Sequence, residues 1–458
     1  MGFMAMVCDV PMGARAAGDW QRFCLRAGRG SAAVMRASRM KRWVRGNPLA
    51  FGAAAPALLW IGVGCGASDV SREAPLSWDG GSEAWTDTGA DEAVDVVVSD
   101  GEKDAVTDAG EDGMVEGATD ARESGIEPMV TVLSLNLHCF KVEGTQFASN
   151  EGRFAAIAQG AAAEAVDAIA VQEACVRTGA DAMDMLAGAL AAATGQTWQA
   201  AWQPTHVAWQ GTPDEAMEGV GLLVRGMITD VQPIVYRIPG VLARAAISGV
   251  MGAGAGGIRV VSTHLDYGDA AARAAQARET ASATMAMADP SLAVVVAGDF
   301  NAVVGSSTHQ TMIAFGFEDL TASLDPSRID HVFAHRGAGL EVQYARTMFD
   351  GTDYPVVSDH HGVLVRARVV TAPGVTRTRI RVHSSGADWV AVRGDTLPLT
   401  WQEGVPLFQD GDAWRLVVTE WAAGQPVEVK CLRSDTTWES GDNHVVLGGD
   451  TVDLTPSF

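Results

Sequence analysis

Several short motifs hold the residue types that hydrolysis at phosphorus needs. Asn136 closes the apolar run Val130-Thr131-Val132-Leu133-Ser134-Leu135-Asn136, and Glu173 follows residues 168–171 in Val171-Gln172-Glu173. Asp299 and Asn301 stand in Gly298-Asp299-Phe300-Asn301, after the run 292–297. Asp330 lies in Ile329-Asp330-His331 just ahead of another apolar run, and Asp359 and His360 lie in Ser358-Asp359-His360. Cleaving a phosphodiester requires a hard cation on oxygen ligands, a water made nucleophilic, a donor for the leaving oxygen and stabilisation of charge on the phosphoryl oxygens. Carboxylates, a carboxamide and an imidazole can supply those parts. Taken singly each motif is weak, because Asp and Asn at strand ends are ordinary turn formers.

The elements around these motifs alternate. Helical periodicity predicts helices over 151–166, 181–193 and 270–287, separated by apolar strands at 168–171, 221–224, 258–263 and 292–297. That mixture, with some strands joined by turns, predicts a layered α/β sandwich over residues 129–370. After a hinge at Thr371-Ala372-Pro373-Gly374 the pattern turns all-β over 375–458, where Trp389, Trp401, Trp414, Trp421 and Trp438 are concentrated.

These motifs in this order resemble the endonuclease/exonuclease/phosphatase superfamily, which includes deoxyribonucleases, abasic-site endonucleases, bacterial sphingomyelinases and inositol-polyphosphate phosphatases. The resemblance implies a four-layered α/β sandwich acting as a metal-dependent phosphoric ester hydrolase. It implies that Asn136, Glu173 and Asp359 hold Mg²⁺ or Mn²⁺, cations suited to oxygen ligands. Asp299 and Asn301 would orient the attacking water and the phosphoryl oxygens. His360 would act on the water or the phosphate, with Asp330 fixing its tautomer. His264, in Ser262-Thr263-His264-Leu265, matches a second histidine that contacts phosphate or the leaving oxygen. Glu218, Arg244, Arg273 and Gln276 also resemble family positions, but strand and helix roles explain them equally well. His138, His331 and His361 are expected beside the site and not in it. If Asn136 and Glu173 share a metal, their strands end side by side, which brings Cys139 and Cys175 within reach of a disulfide and leaves Cys431 free.

Composition narrows the substrate without choosing it. The formal charge of -23 is uneven: residues 1–64 carry nine Lys/Arg against Asp9 and Asp19, whereas 66–127 carry 18 Asp/Glu against Arg72, Lys103 and Arg122. No basic footprint for tight nucleic-acid binding is present, nor are there paired Arg/Lys clusters for a polyphosphorylated inositol. A nuclease is the leading expectation and a lipid phosphodiesterase the alternative, so the partner is a nucleic acid or a phospholipid. A catalytically idle, sugar-binding surface protein is the competing class, and the complete set Glu173, Asp299 and His360 argues against it. The segment 202–218, with Trp202, His206, Trp209, Asp214 and Glu215, is read as a loop bordering the cleft.

Export is expected from the first 65 residues. The apolar run 48–63 follows Arg39, Lys41, Arg42 and Arg45, is short for a membrane span, and ends at Gly64-Cys65. Small residues before a cysteine resemble a bacterial lipobox, so Cys65 is the candidate lipidation site of a surface lipoprotein; a secreted protein is the alternative. Residues 66–128 read as an acidic, disordered tether. A monomer is expected.

The strings Trp414-Arg415-Leu416-Val417-Val418, Val427-Glu428-Val429-Lys430 and Trp438-Glu439-Ser440-Gly441-Asp442-Asn443-His444 resemble the starch-binding β-sandwich of carbohydrate-binding module family 20. The resemblance implies a sugar site at Trp401, Lys430 and Trp438 and a polysaccharide partner. His444 departs from the family's usual Arg. The plainer reading is a tryptophan-rich core serving as a spacer or clamp.

Overall fold

Alternate residues of the first strand enter two different cores, and that alternation organises the molecule. Val130 and Val132 join an apolar layer between two sheets, whereas Leu133 and Leu135 pack beneath helices on the outer face. The computed structural model describes residues 128–252, 257–337, 339–370 and 374–458. These fall within one unit, Gly110–Phe458. The leader with Cys65, the acidic stretch 66–127 and the hinge residues Thr371, Ala372 and Pro373 lie outside the described residues.

In chain order the first region runs β1 (Met129–Asn136), α1 (Asn150–Ala163), β2 (Ala168–Arg177), β3 (Ala180–Asp181), α2 (Ala182–Thr194), β4 (Trp198–Ala208) and β5 (Ala216–Arg225). It continues β6 (Ile228–Val235), β7 (Ala245–Met251), β8 (Ile258–His264), α3 (Ala270–Met287), β9 (Ala293–Asp299), α4 (Ser307–Ala314), β10 (Phe317–Asp319), β11 (Asp330–His335), β12 (Leu340–Met348) and β13 (Gly362–Val369). One sheet has the order β12-β13-β1-β2-β5-β4, with β3 beside β2; the other has the order β10-β11-β9-β8-β7-β6. Helices α1 and α2 cover the first sheet through Phe154, Ile157, Leu186 and Leu190. Helices α3 and α4 cover the second through Ala277, Ala281 and Met312. The result is the expected four-layered sandwich.

Local chemistry sets the helix ends. The Asp181 carboxylate accepts from the Met183 and Asp184 N–H groups at the start of α2, and Gly195 closes that helix in the left-handed region at φ 67°. Helix α1 stops at Ala163, short of the expected 166, because Ala165 turns to φ 50°. The segment 202–218 is not one loop. Strand β4 carries Trp202 and His206 and pairs with β5 along the sheet edge, leaving only 209–215 as a connection. An edge strand with mixed exposure lacks the clean apolar alternation that marks a strand in sequence.

The second region is all-β: β14 (Thr378–Val382), β15 (Val390–Gly394), β16 (Val405–Pro406), β17 (Phe408–Asp410), β18 (Ala413–Val418), β19 (Pro426–Arg433), β20 (Thr437–Trp438), β21 (His444–Leu447) and β22 (Thr451–Leu454). Two sheets, β17-β18-β14-β22 and β16-β15-β19-β20 with β21 beside β19, enclose Ile380, Val392, Leu416, Val429 and Trp421. This sandwich is packed onto the first region and shares its outer core. Helix α3 lies against β16, β17 and β18. Ser282 Oγ donates to Pro406 O at 2.7 Å, and the Arg237 guanidinium stands 5.5 Å from the Trp414 ring.

Candidate active site

Strand register brings the motifs together. Parallel pairing sets Asn136 beside Gln172 and His264 beside Asp299, and antiparallel pairing sets Asp330 opposite Asp299. Asn136 sits on one sheet and Asp299 on the other, yet Asn136 Nδ2 donates to Asp299 Oδ2 at 3.1 Å and to Glu173 Oε1 at 3.2 Å. His360 Nδ1 donates to Asp330 Oδ2 at 2.7 Å, while its Nε2 lies 3.8 Å from Asp299 Oδ2. His264 Nε2 lies 3.4 Å from the same oxygen. Asp359 faces His138 Nδ1 at 3.4 Å. Glu173, Asp299, Asn301, Asp359, His264 and His360 line one cleft of about 400 Å³.

The backbone is bent to achieve this. Glu173 takes φ 47° at a register shift between Val171 and Ala174, a bulge that re-aims its carboxylate. Asn301 takes φ 48°, with its N–H donating to Asp299 Oδ1 at 2.8 Å and its Nδ2 to Leu265 O at 3.1 Å. Left-handed conformations at residues other than glycine cost energy that the surrounding fold must supply. Gly298 precedes Asp299 because a Cβ there would collide with the Thr263 carbonyl oxygen on the neighbouring strand.

Electrostatics separates the roles. Burial, reinforced by the charge of Asp330, raises Asp299 to about 7 against the opposing pull of His360. For His360, burial acts to lower the pKa, but the hydrogen bond and charge of Asp330, with Asp299 and Asp359, outweigh it and hold the ring at about 10. His264 falls well below its ordinary value because it is buried and faces Arg244. Arg244 Nη1, which can only donate, points at His264 Nδ1 at 3.0 Å. A neutral His264 therefore carries its proton on Nε2, toward Asp299 and the cleft.

Residues 133–360 match the Endonuclease/Exonuclease/phosphatase family. The chain carries a domain of that family. It is similar to a solved endonuclease/exonuclease/phosphatase family protein from Leptotrichia buccalis, with 18% identity over 52% of this chain and 99% of that one and a TM-score of 0.44. It is also similar to an endonuclease/exonuclease/phosphatase from Beutenbergia cavernae, with 19% identity over 69% of this chain and 100% of that one and a TM-score of 0.43. A third similar structure is the human Nocturnin catalytic domain with bound sulfate, with 17% identity over 52% of this chain and 93% of that one and a TM-score of 0.42. No curated protein matches the chain.

Family members are phosphoester hydrolases that generally use divalent metals, and the donor set here fits one. Glu173 is pushed up first by burial and then by the negative charges of Glu218 and, more weakly, Asp359. Carboxylates crowded in this way are what a hard divalent cation relieves. Two other clusters could also be considered. Asp299, Asp330 and His360 converge, but the tight His360 to Asp330 hydrogen bond already uses two of them. His309, Asp319 and His331 also converge, yet Arg328 Nη2 donates to Asp319 at 2.5 Å and fills that place with a guanidinium. Glu173 and Asp359 are the remaining carboxylates of the motif set that line the cleft, where such a cation would find oxygen donors. Asn136 presents its nitrogen to two carboxylates, at 3.2 Å from Glu173 Oε1 and 3.1 Å from Asp299 Oδ2, and accepts the His138 N–H on its oxygen at 2.9 Å.

The remaining expectations divide. Glu218 and Arg244 are in the cleft, paired at 2.6 Å. Arg273 and Gln276 are not: Arg273 Nη1 donates to Asp266 O and Tyr267 O, and Gln276 Oε1 accepts the Asp266 N–H at 2.8 Å, so both brace the turn after β8. His331 is buried against Asp319, His361 is exposed, and His138 lines the cleft. Cys139 and Cys175 are bridged with their Cα atoms 4.9 Å apart, and Cys431 is a buried free thiol. Asp266 was missed. Its carboxylate accepts the N–H groups of Val241, Leu242, Gly268 and Asp269, joining two loops that place Leu242 and Tyr267 on the cleft rim. The turn-forming string Asp266-Tyr267-Gly268-Asp269 ahead of α3 was the available signal.

Proposed function

We propose that this chain is a divalent-metal-dependent phosphodiesterase. The observation that carries the reading is the 2.7 Å His360 to Asp330 hydrogen bond in the same cleft as Glu173, Asp299 and Asp359. A bound divalent cation supplies Lewis-acid stabilisation of the phosphoryl group and a more acidic water. Glu173 and Asp359 would hold it, with Asn136 fixing Glu173. His360, kept cationic by Asp330, donates from Nε2 to a phosphoryl oxygen where charge accumulates. Asp299, near neutrality in pKa, takes the proton of the attacking water, and Asn301 holds the Asp299 carboxylate through its N–H. As the bond from phosphorus to the leaving oxygen breaks, neutral His264 steadies that oxygen with a hydrogen bond from Nε2, and the proton taken up by Asp299 passes to it.

A nucleic-acid strand is the first substrate class to test, and a lipid-type phosphodiester is the second. The rim favours the second. Arg244 is paired with Glu218 and Lys141 with Asp214, while exposed Val207 and Tyr267 flank the cleft with Trp209 and Leu242. Hydrolysis of a bis-aryl phosphodiester, then of DNA, RNA, sphingomyelin and inositol phosphates, each with Mg²⁺ and with chelator, tests the reading. Metal-dependent cleavage of the diester is expected; cleavage of nothing in the panel, or cleavage indifferent to chelator, overturns it.

We also propose export, with lipidation at Cys65, a tether over 66–128 and a monomeric enzyme. Among the described residues no helix is long and apolar enough to cross a membrane. Loss of lipid labelling in Cys65→Ala is the expected result, and unchanged labelling contradicts it. Sugar binding at Trp401, Lys430 and Trp438 is supported by an aromatic shelf. The two rings lie 6.4 Å apart at 39°, and Trp438 is 42% exposed. Lys430 Nζ, however, already donates to Gly441 O at 2.6 Å. Retention on immobilised starch, lost in Trp438→Ala, is the test; no retention of the wild type removes the proposal.

A further inference from the structure

Three arginines alternate in Arg377-Thr378-Arg379-Ile380-Arg381, so a strand must carry all three on one face. Strand β14 does so. Its Thr378, Ile380 and Val382 are buried inside the sandwich, and the arginines take the opposite face. Cross-strand pairing adds a fourth, because Arg415 of β18 stands directly opposite Arg381. Like charges in directly opposed positions destabilise a sheet, and this chain is otherwise strongly acidic. Two of the four are compensated: Arg381 Nη2 donates to Asp453 at 2.6 Å and Arg415 pairs with Asp410 at 2.5 Å. Among the described residues, neither Arg377 nor Arg379 has a hydrogen-bonded carboxylate. Asp289 reaches Arg377 only through space, while its own carboxylate accepts from Ser291.

The same two arginines line two adjoining cavities. One, of about 290 Å³, lies against Ala286, Pro290 and Val417; the other, of about 380 Å³, lies against Pro290, Gly337 and Gly449. Burial first, and then the neighbouring Arg379, act to lower the Arg377 pKa, against the weaker pull of Asp289. Pro290 precedes β9, whose far end is Asp299, so the groove stands about 20 Å from the catalytic cleft along a seven-residue strand.

We propose that Arg377 and Arg379 form an oxyanion-binding site at the junction of the two regions, taking a phosphate group in bidentate fashion. Guanidinium pairs match phosphate geometry with parallel N–H donors, and a bound oxyanion offsets the repulsion between Arg377 and Arg379, which Asp289 offsets only through space. The phosphate belongs either to the free ion or to a small monoester.

The test is calorimetric titration of the full-length chain with inorganic phosphate and with glycerol phosphate at low ionic strength. Chelator is present throughout, so that no divalent cation helps the catalytic cleft hold either probe, and whatever cationic His360 binds there is common to wild type and variants. Saturable binding is expected, weakened at least tenfold in the double variant Arg377→Gln/Arg379→Gln, with phosphodiester turnover in Mg²⁺ unchanged. Tighter binding of the monoester assigns the site to a phosphorylated small molecule, and equal binding assigns it to the free ion. If the double variant folds poorly, single Arg379→Lys, which keeps the charge and loses the planar fork, must still weaken binding. No binding of either probe to wild type, or equal binding by wild type and variants, overturns the site.

Discussion

His360 Nδ1 and Asp330 Oδ2 are 2.7 Å apart across a loop and a strand end, thirty residues apart in sequence. That contact outweighs burial and keeps the ring cationic, with its pKa raised to about 10. The cation is therefore present at neutral pH and is lost as pH rises through that value. Asp330→Asn removes the charge while keeping the shape. Its turnover should fall by about 10²- to 10⁴-fold, the range for a positioned acid or base, and its alkaline decline should begin at lower pH than in wild type. A pH–rate profile checks this, and an unmoved alkaline limb would count against the pairing.

Glu173 is held by Asn136 and turned inward by a bulge. Glu173→Gln keeps the hydrogen-bonding shape and removes the charge. The Mg²⁺ concentration giving half-maximal activity should rise by about 10- to 100-fold or more, since even partners outside the ligand set cost that much. Metal titration of activity, alongside a thermal melt to show an intact fold, measures it. An unchanged requirement would move the metal elsewhere.

The Cys139 to Cys175 bridge closes a loop with a separation of 36 residues beside the site. Cys139→Ser/Cys175→Ser should lose about 3 to 4 kcal/mol by the loop-entropy relation. It should also weaken metal binding, because Cys139 follows the Asn136 strand and Cys175 the Glu173 bulge. Denaturant unfolding of oxidised wild type and the double variant decides it; equal midpoints would show that the bridge braces nothing.

The Asp319 side chain is buried and receives Arg328 Nη2 at 2.5 Å, His331 Nδ1 at 3.0 Å and the Thr321 N–H at 2.9 Å. Burial acts to raise its pKa, but the His331 and Thr321 hydrogen bonds and the charge of Arg328 hold it well below the usual carboxylate range. A depressed folded-state pKa stabilises the fold above the unfolded value of about 3.9, and that contribution is lost as pH falls below it. Asp319→Asn should cost about 3 to 5 kcal/mol at pH 7, with the gap from wild type narrowing below pH 4. Urea unfolding at pH 7 and pH 3 checks the sign; a gap that widens in acid would contradict it.

Much of this was legible in the sequence, for a physical reason. Strands such as β1, β8 and β9 are buried on both faces and read as continuous apolar runs, so the residues that terminate them are visible as motifs. The Cys139 to Cys175 bridge followed once two strand ends were placed side by side. What stayed hidden depends on contacts between distant segments. The bulge at Glu173 exists only against β5, and β4 is an edge strand without alternation. Asp266 acts by accepting four backbone N–H groups, two of them from residues 241 and 242. The nitrogen-first orientation of Asn136 depends on Asp299 in the opposite sheet.

In the proposed mechanism His360 acts on the phosphoester while other residues hold the metal. That division of roles is tested most directly by the turnover of a bis-aryl phosphodiester in saturating Mg²⁺ by wild type and His360→Ala, with metal binding measured on both. His360→Ala is expected to lose nearly all turnover while folding and binding Mg²⁺ like wild type. Equal turnover by the two proteins, or loss of metal binding together with activity, would contradict it.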